Sequence, residues 1–217
     1  DIVISAGSTT GTVSFTPTDD SIYDATSNET ATIDISGVSG GSATEDGTQN
    51  VTITITDNES APTVTLSRGA AAIDEDSSST VTITATLSNA TYQDVTITID
   101  GTGGTGTEGT DFATVSDITI SAGSTTGTAA VDLTDDSVYE GNETAGISIS
   151  GVSGGSASES GSQSVTVTIT ENESAPTVTL TVSDTSIAEN AGSSLTLTAT
   201  LSGVADEAVT VVIGTSG

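Results

Sequence analysis

Asp135-Asp136-Ser137-Val138-Tyr139-Glu140-Gly141-Asn142-Glu143-Thr144 puts four carboxylates within nine residues, with no lysine or arginine nearby. A weaker copy stands earlier: Asp19-Asp20-Ser21-Ile22-Tyr23-Asp24-Ala25-Thr26-Ser27-Asn28-Glu29-Thr30. Carboxylates crowded without a basic partner repel one another unless they are solvated, protonated or bound to a cation. The chemistry open to them is ligation of a hard cation. Calcium takes roughly six to eight oxygen ligands, preferably carboxylates and carbonyls. A turn carrying Asp-Asp and Glu-x-x-Glu, set against a joint carrying Glu171-Asn172-Glu173, can supply such a shell. The competing reading is a solvated acidic hairpin that only keeps the surface soluble. The return of the acids at fixed places between strands favours calcium.

Composition narrows the function classes. The 217 residues include 30 acids and a single base, Arg68, for a net charge of −29. Nothing could neutralise phosphates, so nucleic-acid binding is excluded, and adsorption to anionic membranes is disfavoured. Cations are the natural partners of such a surface. Histidine, cysteine and lysine are absent, which removes the usual general base, thiol and Schiff-base amine, so no enzymatic role is expected. No disulfide and no Lys–Asn isopeptide bond can hold the fold. The aromatics are Phe15, Phe112, Tyr23, Tyr92 and Tyr139, too few for a carbohydrate-stacking face. No apolar run reaches the length of a membrane span. Asp1 opens no signal-peptide pattern, so a secretion signal, if used, lies outside this sequence.

The elements that position the acids repeat. Ile4–Thr12 recurs identically as Ile120–Thr128, an offset of 116 residues. Ile35–Ala43 recurs as Ile149–Ala157, an offset of 114. The difference lies in the acidic hairpin, where Ala25-Thr26-Ser27 stands against Gly141. The joint Asp57-Asn58-Glu59-Ser60-Ala61-Pro62 returns as Glu171-Asn172-Glu173-Ser174-Ala175-Pro176, and Ile73-Asp74-Glu75-Asp76 aligns with Ile187-Ala188-Glu189-Asn190. The chain therefore divides into 1–60, the C-terminal part of a repeat, 61–174, a complete repeat, and 175–217, the N-terminal part of a third. A window of a longer tandem array is the favoured expectation. The alternative is a fibre subunit whose split terminal repeats complete each other by strand exchange between molecules.

Apolar residues alternate with threonine along Val81–Leu87, Val95–Ile99 and Val165–Ile169. This period of two marks strands with one buried and one wet face. Strands are expected near 63–67, 80–88, 94–100, 117–121, 127–134, 144–150 and 164–170. Seven short strands separated by Gly/Ser/Asn/Asp turns indicate an all-β chain of tandem immunoglobulin-like antiparallel β-sandwiches, about 114 residues per repeat. The expected core is Val81, Ile83, Leu87, Val95, Ile97, Ile99, Ile118, Ile120, Val131, Leu133, Ile147, Ile149, Val165, Val167 and Ile169.

Four blocks carry a resemblance: Gly109-Thr110-Asp111-Phe112, Ile118–Gly123, Asp135–Glu143, and Val165–Thr170 followed by Glu171-Asn172-Glu173. In order and spacing they resemble the Calx-beta family, calcium-binding modules of sodium/calcium exchangers and of many large bacterial surface proteins. The resemblance implies a sandwich with calcium (Ca2+) among the loops at one end. By position it implies the ligands Glu75, Asp111, Asp135, Asp136, Glu140, Glu143, Glu171 and Glu173. In the front piece Asp19, Asp20, Asp24, Glu29, Asp57 and Glu59 correspond, and in the tail only Glu189 does. The family's terminal group is typically a run of Asp. Glu171-Asn172-Glu173 departs from it, which implies one or two ions.

Other motifs carry less. Gly103-Gly104-Thr105-Gly106-Thr107-Glu108 occurs once and lacks the Asp of a β-helix calcium nonapeptide, and no EF-hand spacing exists. Asn-x-Ser/Thr sequons at Asn28, Asn50, Asn58, Asn89, Asn142 and Asn172 arise readily in a threonine-rich chain. A glycoside hydrolase would need stacking aromatics beside its paired acids. The expected role is a calcium-stiffened spacer of a long extracellular or cell-surface, adhesin-like protein. Its expected partners are neighbouring repeats of the same or an adjacent chain and calcium, with no nucleic acid and no membrane insertion, and a head-to-tail polymer as the rival arrangement.

Overall fold

The computed structural model describes residues 1–24, 29–76, 78, 80–190 and 192–215. The inserted Ala25-Thr26-Ser27 and the Asn28 sequon lie outside the described residues. Among those described there is no helix. The front piece contributes β1 (Ile22–Tyr23), β2 (Glu29–Asp34) and β3 (Asn50–Ile55). The middle repeat holds β4 (Thr63–Arg68), β5 (Ala72–Asp74), β6 (Val81–Leu87), β7 (Ala90–Thr91), β8 (Val95–Gly104) and β9 (Ile118–Ile120). It continues through β10 (Thr126–Val131), β11 (Val138–Tyr139), β12 (Glu143–Ser153), β13 (Ser158–Glu159) and β14 (Ser164–Thr170). The tail adds β15 (Val178–Val182), β16 (Leu197–Leu201) and β17 (Val204–Ala205).

The middle repeat is a two-layer sandwich. One sheet runs β10-β6-β4-β13 and the other β5-β14-β12-β8-β9. Alternation works as the sequence predicts: Val81, Ile83, Ala85 and Leu87 are buried, while Thr82 between them is exposed. Threonine keeps its strand preference on the wet side because the branched Cβ suits the pleat and the hydroxyl meets water. Of the expected core, Ile99, Leu133 and Val165 are only partly buried at its margin, and the other twelve are buried. Val64, Leu66, Ala85, Phe112, Val115 and Ala145 join them. Leu66 faces Ala85 across the β4–β6 ladder, so the missing volume of the alanine lies opposite a larger side chain.

Not every pairing is antiparallel. The first strand splits: β4 pairs β6, the chain crosses over at Gly69, and β5 then runs parallel to β14 in the other sheet. Two parallel pairs also link the pieces: β1 with β7, and β11 with β17. These two-residue strands are too short to leave a periodic signal. The front ladder β2–β3 and the tail ladder β15–β16 each leave open the apolar face that the middle repeat closes. Ile4 is 56% exposed, whereas its counterpart Ile120 is 0% exposed.

At the end of the sandwich that carries the acids, β8 and β12 approach so closely that a side chain would not fit. A Cβ on Gly146 would lie 2.5 Å from the Gly103 carbonyl carbon. Gly104, at φ +101°, turns the chain over the Thr144 carbonyl, which then accepts from both Thr105 and Gly106 N–H at 3.0 Å.

Candidate metal centre

Each acid of the middle repeat is delivered by a different part of this frame. The strand switch brings Glu75 to the end of β14: its N–H donates to the Thr170 carbonyl at 3.0 Å, directly before Glu171. Phe112, fully buried, pins the loop that carries Asp111. The Asp111 carboxylate accepts from Thr107 N–H at 2.5 Å, and its carbonyl accepts from Thr134 N–H at 2.9 Å. Asp136 closes its own turn by accepting from Val138 N–H at 2.7 Å. Gly141, at φ +78°, makes the bend between Glu140 and β12, which begins at Glu143.

The result is a continuous run of seven carboxylates. Glu75, Glu171 and Glu173 offer oxygens within 4.8 Å of one another; so do Glu75, Asp136 and Glu140, and so do Asp111, Glu140 and Glu143. Oxygens about 2.4 Å from one calcium ion lie no more than about 4.8 Å apart, so this spacing suits a shared ion. Asp135 is the one expected acid of the repeat outside these groups. It accepts from Asn172 Nδ2 at 3.1 Å instead. Asn172 thus provides a donor to Asp135 where another Asp would add charge.

The electrostatics show the strain of the arrangement. Burial and the charges of Glu171, Glu140, Asp136 and Glu173 push Glu75 up to about 7. Burial and the neighbouring Asp111 push Glu143 up to about 7. Glu140 is raised by burial, then by Asp111 and Asp136. Glu173 is raised by its hydrogen bond to Glu171 and by burial. Glu171 moves the other way. Burial alone would raise it, but the N–H groups of Glu140, Gly141 and Glu173, at 2.6, 2.8 and 2.9 Å, hold it below the usual range. Glu75 is only 5% exposed. Among the described residues no hydrogen bond reaches its carboxylate. Glu173 Oε2 is buried without a donor. Arg68 is committed elsewhere, to the Ala70 carbonyl at 3.1 Å.

The front piece builds part of the same frame. Ile22 N–H donates to Asp20 at 2.8 Å, and Asp24 N–H donates to Asp57 at 3.1 Å, repeating the Val138–Asp136 and Glu140–Glu171 bonds. With its nitrogen turned toward the acids, the Asn58 amide reaches Asp19 at 3.3 Å, as Asn172 reaches Asp135. Asp19, Asp20, Asp24, Glu29, Asp57 and Glu59 line one cleft of about 130 Å³. Among the described residues no three of them converge as in the middle repeat. The counterparts of Glu75 and Asp111 would precede Asp1. Glu189, the tail's counterpart of Glu75, is exposed. One acid near the centre escaped sequence reasoning: Asp206, in the tail, whose N–H donates to the Tyr139 carbonyl at 3.2 Å. Only the pairing of β11 with β17 brings it there.

Fold and site define a β-sandwich module that gathers carboxylates among the loops at one end. The chain belongs to the Calx-beta family: residues 57–173, more than half of its length, match the Calx-beta domain. Solved structures similar to it include an apo-form Calx CBD1 domain, at 18% identity and TM-score 0.46, over 52% of this chain and 99% of that one. A CBD12 fragment of CALX1.2 follows at 18% identity and TM-score 0.45, over 51% of this chain and 45% of that one. A two-domain protein of unknown function from Bacteroides fragilis is similar at 10% identity and TM-score 0.39, over 57% of this chain and 55% of that one. No curated protein matches the chain.

Proposed function

We propose that this Calx-beta chain is a calcium-binding structural spacer of a long extracellular or cell-surface protein, with calcium rigidifying the joints between repeats. The observation that carries the reading is Glu75. A glutamate 5% exposed, without a hydrogen-bond donor among the described residues and with its carboxylate within reach of four others, calls for a cation. Glu75, Glu171 and Glu173 would hold one ion, and Asp111, Glu140 and Glu143 another, with Asp136 beside Glu140. Calcium supplies the positive charge that the chain's own residues lack. Extracellular modules bind calcium at roughly 10⁻⁴–10⁻³ M, which suits an external ion pool. The role is structural rather than catalytic: the chain has no histidine, cysteine or lysine.

The test is calorimetry with calcium alone and thermal melts with and without chelator. The reading expects bound calcium and a higher midpoint; no heat and an unchanged midpoint would end it. A second reading is favoured by the open apolar faces of the front and tail ladders. The remainder of a longer array would cover them, or else the tail of a second copy, giving a head-to-tail fibre. Mass measured against concentration separates the two, since a strictly monomeric chain removes the fibre.

A further inference from the structure

The two joints share a backbone pairing and differ in chemistry at the residue that follows it. At the first, Ile22–Tyr23 pairs parallel with Ala90–Thr91, and Tyr92 N–H donates to the Tyr23 carbonyl at 3.4 Å. At the second, Val138–Tyr139 pairs parallel with Val204–Ala205, and Asp206 N–H donates to the Tyr139 carbonyl at 3.2 Å. Tyr92 and Asp206 therefore occupy the same place on successive repeats. Tyr92 locks its joint directly: its hydroxyl donates to Asp20 Oδ2 at 2.8 Å. Asp206 carries no hydroxyl with which to repeat that bond. It brings a carboxylate to the rim of the acids at that joint, and its charge adds to the repulsion felt by Glu140 and Glu143. A bare pairing of two residues therefore has to hold against like charges.

We propose that Asp206, carried by the following repeat, is a cross-joint acid of the Asp111–Glu140–Glu143 group, so that the second joint closes around a cation while the first closes through the Tyr92–Asp20 hydrogen bond. The inference rests on the reading of the centre as a calcium site. Its independent support is Glu75, 5% exposed and without a hydrogen-bond donor among the described residues, which shares Glu140 with that group. One chain would then contain a joint that stays set without calcium and a joint that calcium sets.

The chain has no cysteine, so spin labels can be placed in pairs without background. Ser67→Cys with Thr181→Cys reports the second joint, and Thr52→Cys with Ser67→Cys the first; all three sites are exposed. Distance distributions are measured on the full chain in chelator and in calcium, with calorimetric titration of calcium alone. The second pair should be broad in chelator and narrow in calcium, and the first narrow in both. Asp206→Asn should abolish the calcium-dependent narrowing and weaken one calcium site by about tenfold, leaving the other in place. Asp206→Tyr, which installs the first joint's residue, should narrow the second pair without calcium. If Asp206→Asn narrows with calcium as the parent does, the cross-joint role is wrong although calcium binding stands. If the parent takes up no calcium, the reading of the centre fails, and this inference with it.

Discussion

The Glu171 carboxylate accepts the Glu140 N–H at 2.6 Å, so the acid at the end of the last strand holds the turn that carries another acid of the centre. Glu171 and Glu75 are neighbours in charge but opposites in role. Glu171 is satisfied by three N–H groups, whereas Glu75 has none among the described residues. Glu171→Ala should lower the chelator-treated melting midpoint by roughly 5–10 °C, the loss expected for charge-assisted bonds of about 1.5–3 kcal/mol. Glu75→Gln should raise that midpoint, because it removes a repelled charge, and should erase the gain that calcium gives. Melts in chelator and in calcium check both, and a Glu75→Gln protein that still gains stability from calcium contradicts the assignment.

Acidity should act in an unusual direction on the metal-free protein. Glu75 and Glu143 are raised from 4.5 to about 7 in the fold. Between those values the folded state binds more protons than the unfolded, so stability falls as pH rises through that window. The midpoint in chelator should be several degrees higher at pH 5 than at pH 8. Saturating calcium should reverse the trend, because it binds the ionised forms. Equal midpoints at the two pH values in chelator would contradict the crowding of Glu75 and Glu143.

Asn172 donates to Asp135 at 3.1 Å. Asn172→Asp exchanges a donor for a charge. It should weaken the metal-free fold by about 1–2 kcal/mol and tighten calcium binding several-fold. Denaturant titration and calorimetry read the two effects separately, and a variant that changes neither would show that the Asn172–Asp135 contact is idle.

Phe112 links core and centre. Phe112→Ala should lose about 3–5 kcal/mol through the cavity it leaves. Calcium affinity should fall too, since the Asp111 loop loses its anchor. Calorimetry under conditions where circular dichroism still reports strands separates the two effects; unchanged affinity there would uncouple the loop from its anchor.

The strands of the sandwich were legible because threonine alternates with branched residues, and a period of two is hard to imitate. Val64 and Leu66 lie on the strand expected near 63–67 but fall outside the expected core, because that run is short and the chain changes sheets just after it. Phe112 and Val115 lie in a loop, where burial leaves no period. Of the acids, those on the hairpin could be read from their spacing. Glu75 and Asp111 came from the family resemblance, and the crossover at Gly69 and the Phe112 anchor explain how they reach the hairpin. Asp206 could not be read at all, because a contact between two-residue strands 66 positions apart has no local signature.

The pairing of Val138–Tyr139 with Val204–Ala205 also bounds how far neighbouring repeats can separate under load. Only two residues on each side must let go, against six or seven pairs in the main ladders β10–β6, β12–β14 and β12–β8 of the sandwich. The strands flanking the joint end at Thr170 and resume at Val178. Eight Cα steps reach about 28 Å at full stretch. Once that slack is drawn out, further tension passes straight into β14 and β15. A series of such joints would lengthen in short, limited steps, each recoverable by re-pairing two residues, before any sandwich has to open.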